Sequence, residues 1–252
     1  VTTRTRNLTG IAALLAIAVL AMAAAPALAQ TPAEIDAALK AAYAKYRDLK
    51  EGANADYIPA LAKVDPNIFG IALVTVDGKV YTTGDISSEV SIQSISKVFT
   101  MAQVMEEQGV EALEKNMGVD ATGQVFNSIV AVEQYKGAEM NPLVNPGAIT
   151  ATSMVSGKDR TAIWEKVLAW HGAFAGRKLS VIHEVFRSEA ETNQRNQAIS
   201  MLMYAYGHIN ANPLQATDIY TEQCSIGVNA KDLATMAATL ANGGKNPATG
   251  KQ

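Results

Sequence analysis

The chain has 252 residues, 48% hydrophobic and 18% charged, with a formal net charge of −3 at pH 7. That length and apolar content suit one soluble globular domain, and a slightly acidic chain without a basic patch argues against a nucleic-acid partner. Cys224 is the single cysteine, so a packed core rather than an internal disulfide must hold the fold, and a buried packing role is expected for it. His171, His183 and His208 lack metal-ligand spacing with each other or with a carboxylate pair.

Residues 1–29 carry Arg4 and Arg6, an apolar run from Ile11 to Leu20, and the ending Pro26-Ala27-Leu28-Ala29, the three features of a secretory signal peptide. The apolar run falls short of the roughly 20 residues that a membrane span needs. Cleavage is therefore expected to leave residues 30–252 as one periplasmic or secreted domain without membrane association. Thr31-Pro32-Ala33-Glu34 supplies a cap, a first-turn proline and a carboxylate, predicting a surface helix to about Leu49. Ile71–Val76 and Lys79–Thr83 read as strands flanking Asp77-Gly78, a signal for a two-residue hairpin turn.

Two strands thus arrive just ahead of Ser91-Ile92-Gln93-Ser94-Ile95-Ser96-Lys97, an S-x-x-K sequence opening an apolar helical pattern. At helical spacing the Ser94 hydroxyl and Lys97 amine share a face. A serine attacks only once its proton is taken, and a lysine can take it if burial keeps the amine neutral. Free N–H groups and the dipole at the helix start would favour an oxyanion. S-x-x-K alone is common, so its neighbours must decide.

Further helices are predicted over Lys97–Glu107, Thr161–Phe174, Asn193–Tyr206 and Lys231–Asn242, the last closed by Gly243-Gly244. Asn145, within Asn141-Pro142-Leu143-Val144-Asn145-Pro146-Gly147, stands where a helix should begin and on its own reads as an N-cap. Glu189 and Asn196, if both helical, lie two turns apart on one face; they could grip an amino acid's ammonium and carboxylate, or belong to a solvated helix start capped by Thr192 or Asn193. Tyr220 could offer a phenol to a pocket or simply pack.

Together with Asp56-Tyr57-Ile58-Pro59, Val76-Asp77-Gly78, Cys224-Ser225-Ile226 and Ala237 to Gly244, these stretches resemble the serine-dependent glutaminase family, whose fold belongs with the β-lactamases and penicillin-binding proteins. The resemblance implies an α+β, β-lactamase/transpeptidase-like fold, a helical region packed on an antiparallel sheet of which only the N-terminal hairpin lies in this chain. It implies Ser94 as nucleophile and Lys97 as general base. Tyr57, Gln93, Ser94, Asn145, Glu189, Asn196 and Tyr220 would surround L-glutamine, with no metal or organic cofactor and a homo-oligomeric assembly. The chain departs from the family pattern by stopping at Gln252, ahead of a second catalytic tyrosine and a glycine-rich strand. A truncated domain of little activity, with an exposed strand edge, is the corresponding expectation. Pro146 is a smaller departure, at a first helical turn that tolerates it. The nearest alternative, a β-lactamase or penicillin-binding enzyme, should also carry S-D-N and K-T-G, and neither string occurs. A non-catalytic exported glutamine binder is the alternative from another class.

Overall fold

The computed structural model describes residues 30–252; the expected signal peptide at 1–29 lies outside the described residues. Helix α1 spans Pro32–Tyr46. It starts as its sequence requires: the Thr31 hydroxyl accepts the Glu34 N–H at 3.3 Å, and Glu34 accepts the Thr31 N–H at 2.7 Å. Its end falls short of the expected Leu49. Leu39–Gln252 form one compact unit, which holds every candidate site residue.

In that unit a short α2 (Pro59–Ala62) precedes the hairpin of β1 (Gly70–Val74) and β2 (Val80–Gly84), paired antiparallel from Gly70↔Gly84 to Val74↔Val80. The two-residue turn expected at Asp77-Gly78 is corrected by the hydrogen bonds. Thr75 N–H donates to Lys79 O at 3.0 Å and Gly78 N–H to Thr75 O at 2.9 Å, making Val76-Asp77-Gly78 a three-residue loop. Gly78 closes it at φ 85°, a left-handed conformation that glycine adopts without a Cβ clash. Leu73 and Val80 stay exposed at 37% and 44%.

β3 (Val90–Ser91) then leads through Ile92 into a 3-10 turn, Gln93–Ile95, and the turn runs into α3 (Ser96–Gln108). α4 (Val110–Met117), α5 (Ile129–Tyr135), α6 (Asn145–Met154), α7 (Arg160–Ala175), α8 (His183–Ala190), α9 (Gln194–Ala205) and α10 (Pro213–Cys224) follow. β4 (Gly227–Val228) returns to pair antiparallel with β3, and α11 (Ala230–Ala241) packs on β1. The architecture is α+β, a helical majority with two two-stranded antiparallel sheets among the described residues. The four helices expected after the hairpin are present with slightly shifted ends. The last is opened by a capping box between Asn229 and Asp232 and closed where Gly244 N–H reaches Thr239 O at 2.9 Å.

Three apolar clusters hold the helices together. Val132, Met140, Ile149, Ile199, Met203 and Tyr220 join α5, α6, α9 and α10. Ile92, Phe99, Phe174, Ile226, Val228 and Met236 fasten the entry to the 3-10 turn onto α3, α7 and α11. Val104, Leu113, Met117, Val167 and Ile219 fill the space between α3, α4, α7 and α10. Outside the core, Arg177 bonds both Glu89, just ahead of β3, and Asp232 of α11 at 2.6 Å. Thus the strand that delivers the 3-10 turn is fixed from two sides.

Candidate active site

Ser94 sits in the middle of the 3-10 turn and Lys97 in the first turn of α3. In a 3-10 turn residues i and i+3 nearly eclipse, so the S-x-x-K spacing still puts both side chains on one face. The expected free N–H groups at the helix start are partly used, because the Ser96 N–H is turned onto Gln93 O. The turn itself is held from behind: Ile92 N–H donates to Ile226 O at 2.8 Å, in line with the β3–β4 pairing. Gln93, immediately before Ser94, has φ 49°, a left-handed conformation uncommon for a residue with a side chain.

Lys97 is only 3% exposed. Its ammonium donates to Asn145 Oδ1 at 2.7 Å and Leu143 O at 3.4 Å, and lies 5.6 Å from the centre of the Phe126 ring. It has no ion-pair partner among the described residues, and burial lowers its pKa below that of an ordinary lysine. Asn145 is the hub. Its Oδ1 also accepts the Tyr220 hydroxyl at 3.3 Å, while its Nδ2 donates to Asn196 Oδ1 at 2.9 Å. The N-cap reading of Asn145 is therefore corrected: the cap position is Val144, and Asn145 is the first residue of α6, free to turn its amide into the site. Gly147 permits this placement, since a Cβ there would stand 2.1 Å from Asn141 O.

Glu189 closes the far side, 7% exposed and bonded to Gln93 Nε2 at 3.3 Å. Burial raises its carboxyl pKa to about 7, with the Gln93 bond opposing. Glu189 and Asn196 do not share one helical face: α8 ends at Ala190, α9 starts at Gln194, and the break between them turns both residues toward one cavity. Asn193 in that break gives its amide to Thr221 Oγ1 at 3.0 Å rather than capping α9. The Tyr220 phenol is held protonated, its pKa pushed well up by burial, then by Cys224 and Glu189, with the Ser94 hydroxyl opposing.

A cavity of about 270 Å³ is lined by Tyr57, Gln93, Ser94, Asn145, Glu189, Asn196 and Tyr220. All the residues proposed around a substrate thus face one space, with Lys97 bonded to its wall. Asn193 lines it too, as do Phe126, Asn127 and Arg195, which had no assigned role. Arg195 is the one with a signal, a cation beside Asn196 whose bonding in the structure is a 3.5 Å contact to Asn127 O. Cys224 also lines the cavity while remaining 2% exposed, and burial pushes its thiol up to about 12, consistent with an inert packing residue. His171 and His208 place both ring nitrogens against backbone carbonyls.

Known proteins similar to this chain in sequence and in geometry agree with one another. The sequence model of the Glutaminase family matches residues 52–252. A glutaminase of Colwellia psychrerythraea is 48% identical over 227 residues, covering 89% of this chain and 73% of that protein. One from Mycobacterium ulcerans is 46% identical, covering 87% and 69%. Among solved structures, the probable glutaminase ybaS superposes with a TM-score of 0.86 at 40% identity, over 88% of this chain and 72% of its own. Mglu, in its glutamate form, gives a TM-score of 0.79 at 31% identity, over 88% and 51%. The expected β-lactamase-like α+β fold is the one these neighbours share. With its S-x-x-K turn, its buried lysine and this continuous likeness, the chain belongs to the glutaminase family.

Proposed function

We propose that this protein hydrolyses the side-chain amide of L-glutamine to L-glutamate and ammonia, with Ser94 as nucleophile and Lys97 as general base. The observation that carries the reading is the setting of Lys97, an amine buried without a carboxylate partner among the described residues, three positions after Ser94 where the 3-10 turn runs into α3. As Ser94 Oγ bonds to the substrate δ-carbon, neutral Lys97 takes the hydroxyl proton. The C–N bond then breaks, the nitrogen leaves as ammonia with that proton, and water cleaves the glutamyl ester to restore Ser94. Ionised Glu189 suits the substrate ammonium, and the Asn196 amide and the phenols of Tyr57 and Tyr220 suit its carboxylate. The chemistry calls for no metal or cofactor. Mglu supports the assignment by existing in a glutamate form, glutamate being the product of such a hydrolysis.

The family match favours this over the β-lactamase alternative. Assay of ammonia release from glutamine tests it, on these 252 residues and on a chain carrying the remainder of the Colwellia relative, of which this chain covers 73%. Release that depends on Ser94 supports the proposal. Calorimetric glutamine binding without release from either chain would favour the non-catalytic binder. The leader at 1–29 is proposed to direct export to the periplasm or beyond, and the domain to assemble as a homo-oligomer, checked by cell fractionation and light scattering.

A further inference from the structure

Behind the site lies a chain of buried polar groups that the reaction itself does not use. Gln223, at the end of α10, is fully buried, as is Ser96 at the start of α3. Gln223 Nε2 donates to Ser96 Oγ at 3.0 Å, and Ser96 Oγ donates to Gln93 O at 2.7 Å. On its other side Gln223 Oε1 accepts from Thr100 Oγ1 of α3 at 2.7 Å and lies 3.4 Å from Thr152 Oγ1 of α6, a hydroxyl it shares with Ala148 O at 2.9 Å. One amide therefore ties the three helices that carry Lys97, Asn145 and Tyr220 to the carbonyl of the residue ahead of Ser94. That residue is Gln93, the one held at φ 49°.

We propose that Gln223 and Ser96 are positioning residues, clamping the strained Gln93 peptide so that Ser94 stays in register with Lys97. This rests on the glutaminase reading above. A left-handed residue with a side chain persists only where its surroundings over-determine it, and such strain concentrates at functional sites. Packing alone would be served by apolar side chains of similar size. A fully satisfied buried polar network costs desolvation and returns a fixed geometry. The geometry fixed here has two outputs. Gln93 aims Ser94 along the chain, and its own side chain bridges Ser91 Oγ at 3.1 Å and Glu189 Oε2 at 3.3 Å.

The test compares Ser96→Ala, which removes the bond to Gln93, with Ser96→Thr, which keeps a hydroxyl, and Gln223→Met, which removes the amide at the far end. Thermal unfolding is followed alongside kcat, KM and the rate at which a fluorophosphonate labels Ser94. Misplacing a nucleophile by about 1 Å costs on the order of 100-fold. Ser96→Ala and Gln223→Met are therefore expected to lower kcat and the labelling rate about tenfold to 100-fold with KM within about twofold, while Ser96→Thr retains most of both. If Ser96→Ala does not fold, Gln223→Met carries the comparison. Folded variants with parental kcat and labelling would overturn the clamp and leave the glutaminase reading standing. The variants are made in the chain carrying the remainder of the Colwellia relative, and a parent of that length that neither releases ammonia nor labels at Ser94 would overturn both.

Discussion

The β1–β2 hairpin and the helical region around Ser94 are built on opposite terms. The hairpin follows simple rules: two antiparallel strands, a glycine-closed loop, a contact with α11, and Leu73 and Val80 left exposed. It contributes no residue to the cavity. The helical region instead buries Ser96, Lys97, Asn145, Glu189 and Gln223, polar or charged groups with hydrogen-bond partners inside the protein. Burying such groups is unfavourable unless they are paired, so their accumulation on one side marks where structure serves chemistry rather than stability.

Activity should therefore break in the helical region and hold in the hairpin. The largest effect is expected for Ser94→Ala, which should reduce ammonia release by at least about 1,000-fold, since it removes the nucleophile of the proposed reaction. Lys97→Ala should be nearly as damaging, and the double variant no worse than the worse single one, because nucleophile and base act as a unit. Steady-state kinetics of the three variants check both statements; losses that multiply would separate the two residues.

Glu189 gives the next effect, on stability against pH. Its folded pKa of about 7 lies above its ordinary 4.5, so between those values the folded state holds a proton that the unfolded state has lost. Stability attributable to this group thus falls as pH rises from about 4.5 to about 7, by about 3 kcal/mol in total. Urea unfolding at pH 4 and pH 8 should show the parent losing ground to Glu189→Gln on going to the higher pH. In kinetics the same substitution removes the ammonium's partner while leaving Ser94 and Lys97 in place. A tenfold to 100-fold fall in kcat/KM, roughly the worth of one charge-assisted contact, is expected. The smallest effect should come from Val80→Thr on the hairpin, a side chain 44% exposed, with kcat unchanged and stability within about 0.5 kcal/mol, read by the same assays.

The same contrast explains what could be read from the sequence. The hairpin, α1, α3, α7, α9 and α11 announce themselves through turn residues, caps and periodicity. α10 does not, because Thr217, Thr221, Glu222 and Gln223 are buried polar residues that erase the amphipathic pattern. β3 and β4 pair over two residues each, too short for any strand signal. Ser94 and Lys97 follow from spacing; Asn145, Glu189, Asn196 and Tyr220 stand out as polar groups whose role the residues alone leave open, and Tyr57 and Gln93 join them through family likeness. The break that sets Glu189 and Asn196 on separate helices had only Thr192 and Asn193 as a trace. Phe126 and Asn127 meet the cavity solely through tertiary folding.

The central claim is that Ser94 carries the substrate's acyl group. It is tested most directly by acid-quenching the enzyme during glutamine turnover and mapping its peptides by mass spectrometry, in parent and Ser94→Ala. The account expects one glutamyl group esterified to Ser94 in the parent and neither adduct nor appreciable ammonia release in the variant. A glutamyl group mapped to another residue, or undiminished ammonia release from Ser94→Ala, would contradict it.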